Sequence, residues 1–339
     1  MKAIQIKAPF EIGVTEITHP EMGDDDVLLK MNYVGFCGSD LNTYRGGNTM
    51  VAYPRIPGHE VSATIHKTGK NVPESLSEGM LVTVNPYTHC GHCEACRNRR
   101  YNACEQNETL GVQRDGAMRE YLALSWQKII PAEGIREDAV ALVEPLSVGF
   151  HAVSRGMVTD VDTVMVIGCG MVGMGAIIRS IRRGARVIAC DIDDEKLAIA
   201  RGIGAAFTIN TLTDDIHERL CDITHGLMPD VIIEAVGNPV TYNTAVNEVS
   251  FTGRVVCIGY NKNDVSFHTQ NFVKKELDIR GSRNALPEDF EAVIAYLQQG
   301  TCPLDKFISA TCTPEESSAA MQQWHEHPGE IFRILTHWD

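Results

Sequence analysis

No stretch of this 339-residue sequence is long and apolar enough to span a membrane. The longest apolar run, Val164 to Ile178, falls short and is broken by glycines 168, 170, 173 and 175. The opening Met1-Lys2-Ala3-Ile4-Gln5 lacks the long apolar core of a secretory signal. Positive charge is also scarce: 30 Lys and Arg against 44 Asp and Glu leave a formal net charge of -14. A nucleic-acid partner needs a basic face, so that class is excluded, and the small knot Arg97, Arg99 and Arg100 reads as a solvated loop. There is no internal repeat and no low-complexity segment. The eleven cysteines do not read as a disulfide framework, since five fall in metal-like spacings and six (169, 190, 221, 257, 302 and 312) are scattered. Scattered free thiols suit a reducing, cytoplasmic setting.

What is present is ordinary globular material, 44% hydrophobic and 22% charged, in a chain too long for one compact core. The first part reads as β-rich, with short runs at Ala3–Ile6, Asp26–Val34, Val61–His66 and Met80–Val84 separated by Gly, Pro and Asp. Near Pro145 the texture changes. From Thr163 apolar strands (Val164–Ile167, Arg186–Cys190, Ala206–Ile209, Val231–Ala235, Arg254–Ile258 and Leu277–Arg280) alternate with helical patterns such as Asp194–Gly202. Six such strands with helical crossovers make a doubly wound parallel sheet. A helix over Pro287–Gln299 and a last apolar run, Ile331–Leu335, follow.

The turn Gly168-Cys169-Gly170-Met171-Val172-Gly173 follows the strand Val164–Ile167 and opens a helix of small and apolar residues. In that setting two glycines let backbone amides approach a pyrophosphate and the third lets helix pack on strand. Asp191 closes the second strand about 20 residues on, where an acid binds the adenosine ribose hydroxyls. An aspartate repels a 2′-phosphate, and Ile192 and Asp193 offer no cation, which predicts NAD rather than NADP. The alternative is a glycine turn without a nucleotide.

Two sets of residues have metal-ligand chemistry. In the run Cys90-x2-Cys93-x2-Cys96-x7-Cys104, four thiolates can surround one zinc and leave no open position, so the site holds a loop and does no chemistry. An iron–sulfur run has a three-residue last spacer followed by proline, whereas here the spacer is seven and Glu105 follows. A redox switch or metal-free buried cysteines are the other readings. Cys37, His59, Glu60 and Glu144 form the second set, all ordinary zinc ligands. Three protein ligands and one water leave zinc a Lewis acid. Each also has a plain reading alone: a small hydrophobe, a satisfied histidine, a helix-entry carboxylate.

In these residues the chain resembles the zinc-dependent medium-chain dehydrogenase/reductase family over nearly its whole length. The matching motifs, in order, are Gly35-Phe36-Cys37-Gly38-Ser39-Asp40, Gly58-His59-Glu60, the cysteine run, Asp115-Gly116, Glu144-Pro145-Leu146 and the glycine turn. Glu144 is shared with the polyol branch. Tyr53-Pro54-Arg55-x-x-Gly58-His59-Glu60 and Gly281-Ser282-Arg283-Asn284-Ala285-x-Pro287-Glu288-Asp289-Phe290 are most similar to bacterial L-galactonate oxidoreductase-like sugar-acid dehydrogenases. Asn42 departs from the family, standing where relatives often have a proton-relaying histidine. Ala63, and Ala117 with Met118, depart in ways that read as local packing.

The resemblance implies an α/β two-domain fold: a GroES-like β-rich catalytic domain from residues 1–150 and 285–339, and a Rossmann NAD-binding domain over 151–284, with the active site in the cleft. It implies two zinc ions per chain, and a substrate hydroxyl that joins the zinc of Cys37, His59 and Glu144, with Glu60 as a fourth or exchanging ligand. The alkoxide so formed passes hydride to NAD while Ser39 takes the proton outward, with water or Glu60 completing the relay that Asn42 cannot. Arg283 and Asn284 are implied to face the cleft and hold a sugar-acid carboxylate, with Arg45, Tyr53 and Arg114 as further candidates. Threonine 3-dehydrogenase-type or sorbitol and galactitol-phosphate dehydrogenase-type chemistry, and a non-catalytic NAD-binding protein, are the alternatives. A homodimer or homotetramer is expected.

Overall fold

The computed structural model describes all 339 residues, and the chain divides into two compact units, Met1–Pro145 with Leu286–Asp339 and Leu146–Ala285. The first is built on a seven-stranded sheet. Its central member, Asp26–Phe36, alternates half-buried and buried positions for most of its length, as expected of a sheet with one face on a core. It pairs antiparallel with Glu60–Thr68 on one side; on the other, Tyr121–Ser125 takes its first half and the C-terminal strand Ile334–His337 its last. Ile4, Leu29, Met31, Phe36, Val61, Ile65 and Met118 fill the core beneath it.

The second unit is a six-stranded, wholly parallel sheet in the order Phe207–Asn210, Arg186–Asp191, Thr163–Ile167, Val231–Glu234, Arg254–Cys257, Asp278–Gly281. Its inner strands are apolar on both faces because helical crossovers cover both, as in Val231–Glu234, buried throughout. The strand order reverses between Thr163–Ile167 and Val231–Glu234, the place where open α/β sheets bind ligands. The fold is thus α/β, a β-rich unit and a doubly wound parallel sheet, as the resemblance implies.

The structure revises some limits. The last apolar run begins pairing only at Ile334, because Phe332 stacks on Phe307 and its amide bonds Ser309, which holds residues 331–333 off the ladder. A short helix, Gly38–Tyr44, interrupts the first β-rich stretch. It starts where Asp40 Oδ2 accepts the amide of Cys37 at 2.8 Å, capping the first turn.

The glycine turn follows the division of labour its spacing implies. Gly168 has φ +95°, left-handed backbone that favours glycine. A Cβ on Gly170 would meet nothing within 4 Å, which leaves open space at the start of helix Met171–Arg182. A Cβ on Gly173 would lie 1.8 Å from the carbonyl oxygen of Gly168, so only glycine lets the helix sit this close to its own turn. Gly173→Ala is therefore expected to destabilise the protein by about 1–3 kcal/mol through overpacking. Gly202→Ala, on an open helix face, is expected to be neutral or stabilising by up to about 1 kcal/mol. Urea midpoints decide it, and equal values for the two variants would refute the close approach.

Candidate active site

Strand pairing assembles the site. Cys37 leaves the end of Asp26–Phe36, and Glu60 opens the neighbouring strand directly opposite Gly35. A Cβ on Gly35 would lie 2.3 Å from Glu60 Oε2, so this glycine is what lets the glutamate lean across. Ligand atoms of Cys37, His59 and Glu60 all fall within 4.8 Å of one another. His59 and Glu60 are 5% and 0% exposed, and His59 Nδ1 and both Glu60 carboxylate oxygens have no hydrogen-bond partner. Buried polar atoms are ordinarily bonded, so such orphans are the expected mark of a ligand set for a cation.

Glu144 sits in the first turn of helix Val143–Arg155, within electrostatic reach of His59 and Glu60. It is not in the tightest trio, a difference from the expected Cys37–His59–Glu144 set with Glu60 exchanging. The phenol of Tyr87 donates a short hydrogen bond to Glu144 Oε1 and holds that carboxylate, while Gly35 admits Glu60. Tyr87 is 4% exposed, packs edge-on against Phe290, and has its backbone carbonyl fixed by Lys128 Nζ at 2.6 Å.

The surrounding charge is unbalanced. Burial pushes the pKa of His59 down, but Cys37, Glu144 and Asp40 outweigh it and leave the imidazole well above its usual value. Burial raises Glu144, opposed by His59 and reinforced by Glu60, and pushes Asp40 up to about 6. The one fixed cation is Arg333, whose Nε lies 3.1 Å from Glu60 Oε2 without hydrogen-bond alignment and whose Nη1 donates to the Phe36 carbonyl at 2.8 Å. Its partners, led by Glu60, outweigh burial and raise its pKa. Four potential anions against one arginine is a setting that favours a further positive charge.

Ser39, in the first turn of Gly38–Tyr44, has a buried hydroxyl with no partner, whereas a serine tied up in a local turn would be bonded. Arg114 lies in the same unit, its Nη2 3.4 Å from the carbonyl of Pro86, the residue before Tyr87. Arg45 donates to the His325 ring and carbonyl, and the Tyr53 hydroxyl donates to the carbonyl of Thr43. Arg283 and Asn284 follow the last strand of the second unit, Arg283 exposed and Asn284 with φ +52°. Also in the second unit, Asp191 closes its strand with Oδ2 accepting the amide of Cys169 at 2.6 Å and Oδ1 those of Ile192 and Asp193. That places the carboxylate beside the glycine turn. Tyr87 and Arg333 had no signal in the sequence, because nothing in their local spacing ties them to Cys37.

The second metal set also converges. Cys90 Sγ is 4.0 Å from Cys96 Sγ and Cys93 Sγ 3.8 Å from Cys104 Sγ, far longer than the disulfide bond of about 2.05 Å. Backbone amides point at the sulfurs, from Cys93 to Cys90 and from Gln106 to Cys104 at 3.3 Å each. Backbone donors, Glu105 first, draw the Cys93 thiol down to about 6, while burial pushes Cys96 up to about 12.

Two family models match the chain, an alcohol dehydrogenase GroES-like domain over residues 23–134 and a zinc-binding dehydrogenase over 172–299. The chain is 33% identical to L-galactonate-5-dehydrogenase of Escherichia coli, covering 91% of each chain. Among solved structures it is similar to the E. coli alcohol dehydrogenase RspB in complex with NADH (29% identity, TM-score 0.91, 100% of this chain and 99% of that one). It is also similar to E. coli galactitol-1-phosphate dehydrogenase (26%, 0.92, 99% and 100%). No helix is long and apolar enough to cross a membrane.

If the four-cysteine lobe binds zinc, Cys96→Ser is expected to remove about one zinc per chain and lower the thermal midpoint. Elemental analysis alongside calorimetry tests this; unchanged zinc and an unchanged midpoint would rule out a structural ion there.

Proposed function

The chain belongs to the zinc-type medium-chain alcohol and polyol dehydrogenases, and from that premise we propose that it oxidises a secondary hydroxyl of a sugar acid with NAD. The best substrate is an L-galactonate- or L-gulonate-type aldonate, oxidised at C5. The observation that carries the reading is the convergence of half-buried Cys37 with buried His59 and Glu60, where His59 Nδ1, both Glu60 carboxylate oxygens and the Ser39 hydroxyl lack hydrogen-bond partners. Sugar acid over neutral polyol is favoured by the likeness to L-galactonate-5-dehydrogenase.

Met1–Pro145 with Leu286–Asp339 is taken as the catalytic domain and Leu146–Ala285 as the NAD domain. Cys37, His59, Glu60 and Glu144 would hold the catalytic zinc; Cys90, Cys93, Cys96 and Cys104 a structural one. When bound, zinc supplies Lewis acidity that makes a hydroxyl easier to deprotonate, and NAD supplies the hydride acceptor. Ser39 would take the hydroxyl proton while giving up its own outward, with water or Glu60 completing the relay. Tyr87 keeps Glu144 in one rotamer, and Arg333 prevents Glu60 from swinging away. Gly168, Gly170, Met171, Val172 and Gly173 would present amides at a helix N-terminus to the pyrophosphate, with open space at Gly170, and Asp191 would take the ribose hydroxyls. Arg283, Asn284 and Arg114 are assigned to the substrate carboxylate, which a guanidinium can grip by two parallel hydrogen bonds. The edge strand Asp278–Gly281, with Ile279 47% exposed, supports pairing with a second copy in a homodimer or homotetramer.

NADH formation over a panel of aldonates, neutral polyols, polyol phosphates and L-threonine, with and without a zinc chelator, tests the reading. An aldonate is expected to have the highest kcat/KM, NAD to be preferred over NADP, and chelation to abolish turnover. Full activity in demetallated protein would discard the proposal, and a preference for a neutral polyol or L-threonine would discard its substrate.

Tyr87→Phe keeps the ring and removes the hydroxyl. Supporting hydrogen bonds of this kind are worth about 10–100-fold in metal affinity, so the variant is expected to lose the more weakly held of two zinc ions under chelator competition while keeping the other. Ser39→Ala is expected to lower kcat with both ions retained. Zinc retention equal to wild type in the first variant, or unaltered kcat in the second, would remove that residue's role.

A further inference from the structure

The second unit contains another group of ligating side chains, none of which the dehydrogenase reading uses. His217 and Cys221 stand one turn apart on helix Ile216–Thr224 and so share a face, with Cys221 Sγ 3.6 Å from His217 Nε2. Met228, in the turn after that helix, brings its Sδ to 3.9 Å from the same thiol. The other imidazole nitrogen, Nδ1, is 2.8 Å from Glu248 Oε2 at the end of helix Pro239–Glu248. The glutamate side chain is only 13% exposed, while that of His217 is 65% exposed and Cys221 is half-buried, so an ion can reach His217 and Cys221, with Met228 at the edge of the core.

We propose that Cys221, His217 and Met228 bind one soft monovalent metal ion, Cu(I). Bonds of about 2.3 Å to sulfur and about 2.0 Å to nitrogen, opened to about 120°, place sulfur and nitrogen about 3.7 Å apart and two sulfurs about 4.0 Å apart. The two spacings from Cys221 match these, and its sulfur–sulfur spacing lies within the range of those in the four-cysteine lobe. The donor set selects the metal. A thioether adds little for zinc, which takes thiolate, imidazole and carboxylate, whereas thiolate with thioether and imidazole suits Cu(I). Glu248 is placed as an outer partner that orients a ligating imidazole.

Met228 also holds an unfavourable backbone. Its φ is +65°, uncommon for a residue with a side chain and more so before Pro229. The bond from its amide to Thr224 Oγ1 at 2.9 Å keeps it there, and the result is a sulfur turned toward Cys221. Binding exchanges the thiol proton for the metal and releases it to solvent, with no change of oxidation state.

The test uses the full zinc-loaded protein, titrated anaerobically with Cu(I) against a chromophoric chelator, with zinc measured in the same samples. Wild type is expected to retain one equivalent of copper that Cys221→Ser lacks, at equal zinc content. Met228→Leu is expected to weaken it, and Glu248→Gln to raise its Kd by about 10–100-fold. X-ray absorption should show two sulfurs and one nitrogen. Equal copper in wild type and Cys221→Ser would overturn the proposal by assigning the metal to other cysteines. Unaltered affinity in both Met228→Leu and His217→Gln would overturn it by reducing the site to a single thiol.

Discussion

The excess of negative charge buried around His59 is the constraint to which the first unit is built. Buried Asp40, Glu60 and Glu144 and half-buried Cys37 lie with one imidazole and one guanidinium. Uncompensated buried charge is costly, and removing one partner of a buried pair typically costs about 3–5 kcal/mol. Much of the surrounding architecture serves to hold that charge in place. The Asp40 cap, the Phe36 carbonyl on Arg333, the phenol on Glu144 and the missing Cβ at Gly35 each fix one member. A divalent cation held there, as proposed, would offset the imbalance and give His59 Nδ1 and the Glu60 carboxylate a partner.

The same logic explains why the chain's end belongs with its beginning. Ile334–His337 pairs with the last residues of Asp26–Phe36, and Arg333, one residue before that pairing, meets Glu60. The C-terminal strand thus delivers the counter-charge to a site whose other members come from the first 150 residues.

The second unit is governed by close approach. Gly168, Gly170 and Gly173 show three different needs (a left-handed backbone, an unfilled space and a contact too short for any side chain) within six residues. Asp191 reaches back to the amide of Cys169, so the turn and the neighbouring strand end are held as one piece. A nucleotide phosphate bound there, as proposed, would meet a preformed surface, and preorganisation lowers the ordering cost of binding.

What could be read from the order of residues alone was whatever is decided locally. The six parallel strands, the glycine turn and the four-cysteine spacing are set by periodicity and by chain reach over a few residues, and they survive any rearrangement farther off. The convergence of Cys37, His59 and Glu60 was approached through family motifs. That Glu60 rather than Glu144 completes the tight trio was decided by a glycine across the strand and a tyrosine 57 residues from its carboxylate partner. Arg333, Tyr87 and the contacts of Cys221 with His217 and Met228 came only with the tertiary structure. Their roles depend on which strands pair and which turns bend back, and such contacts leave no periodicity in the sequence.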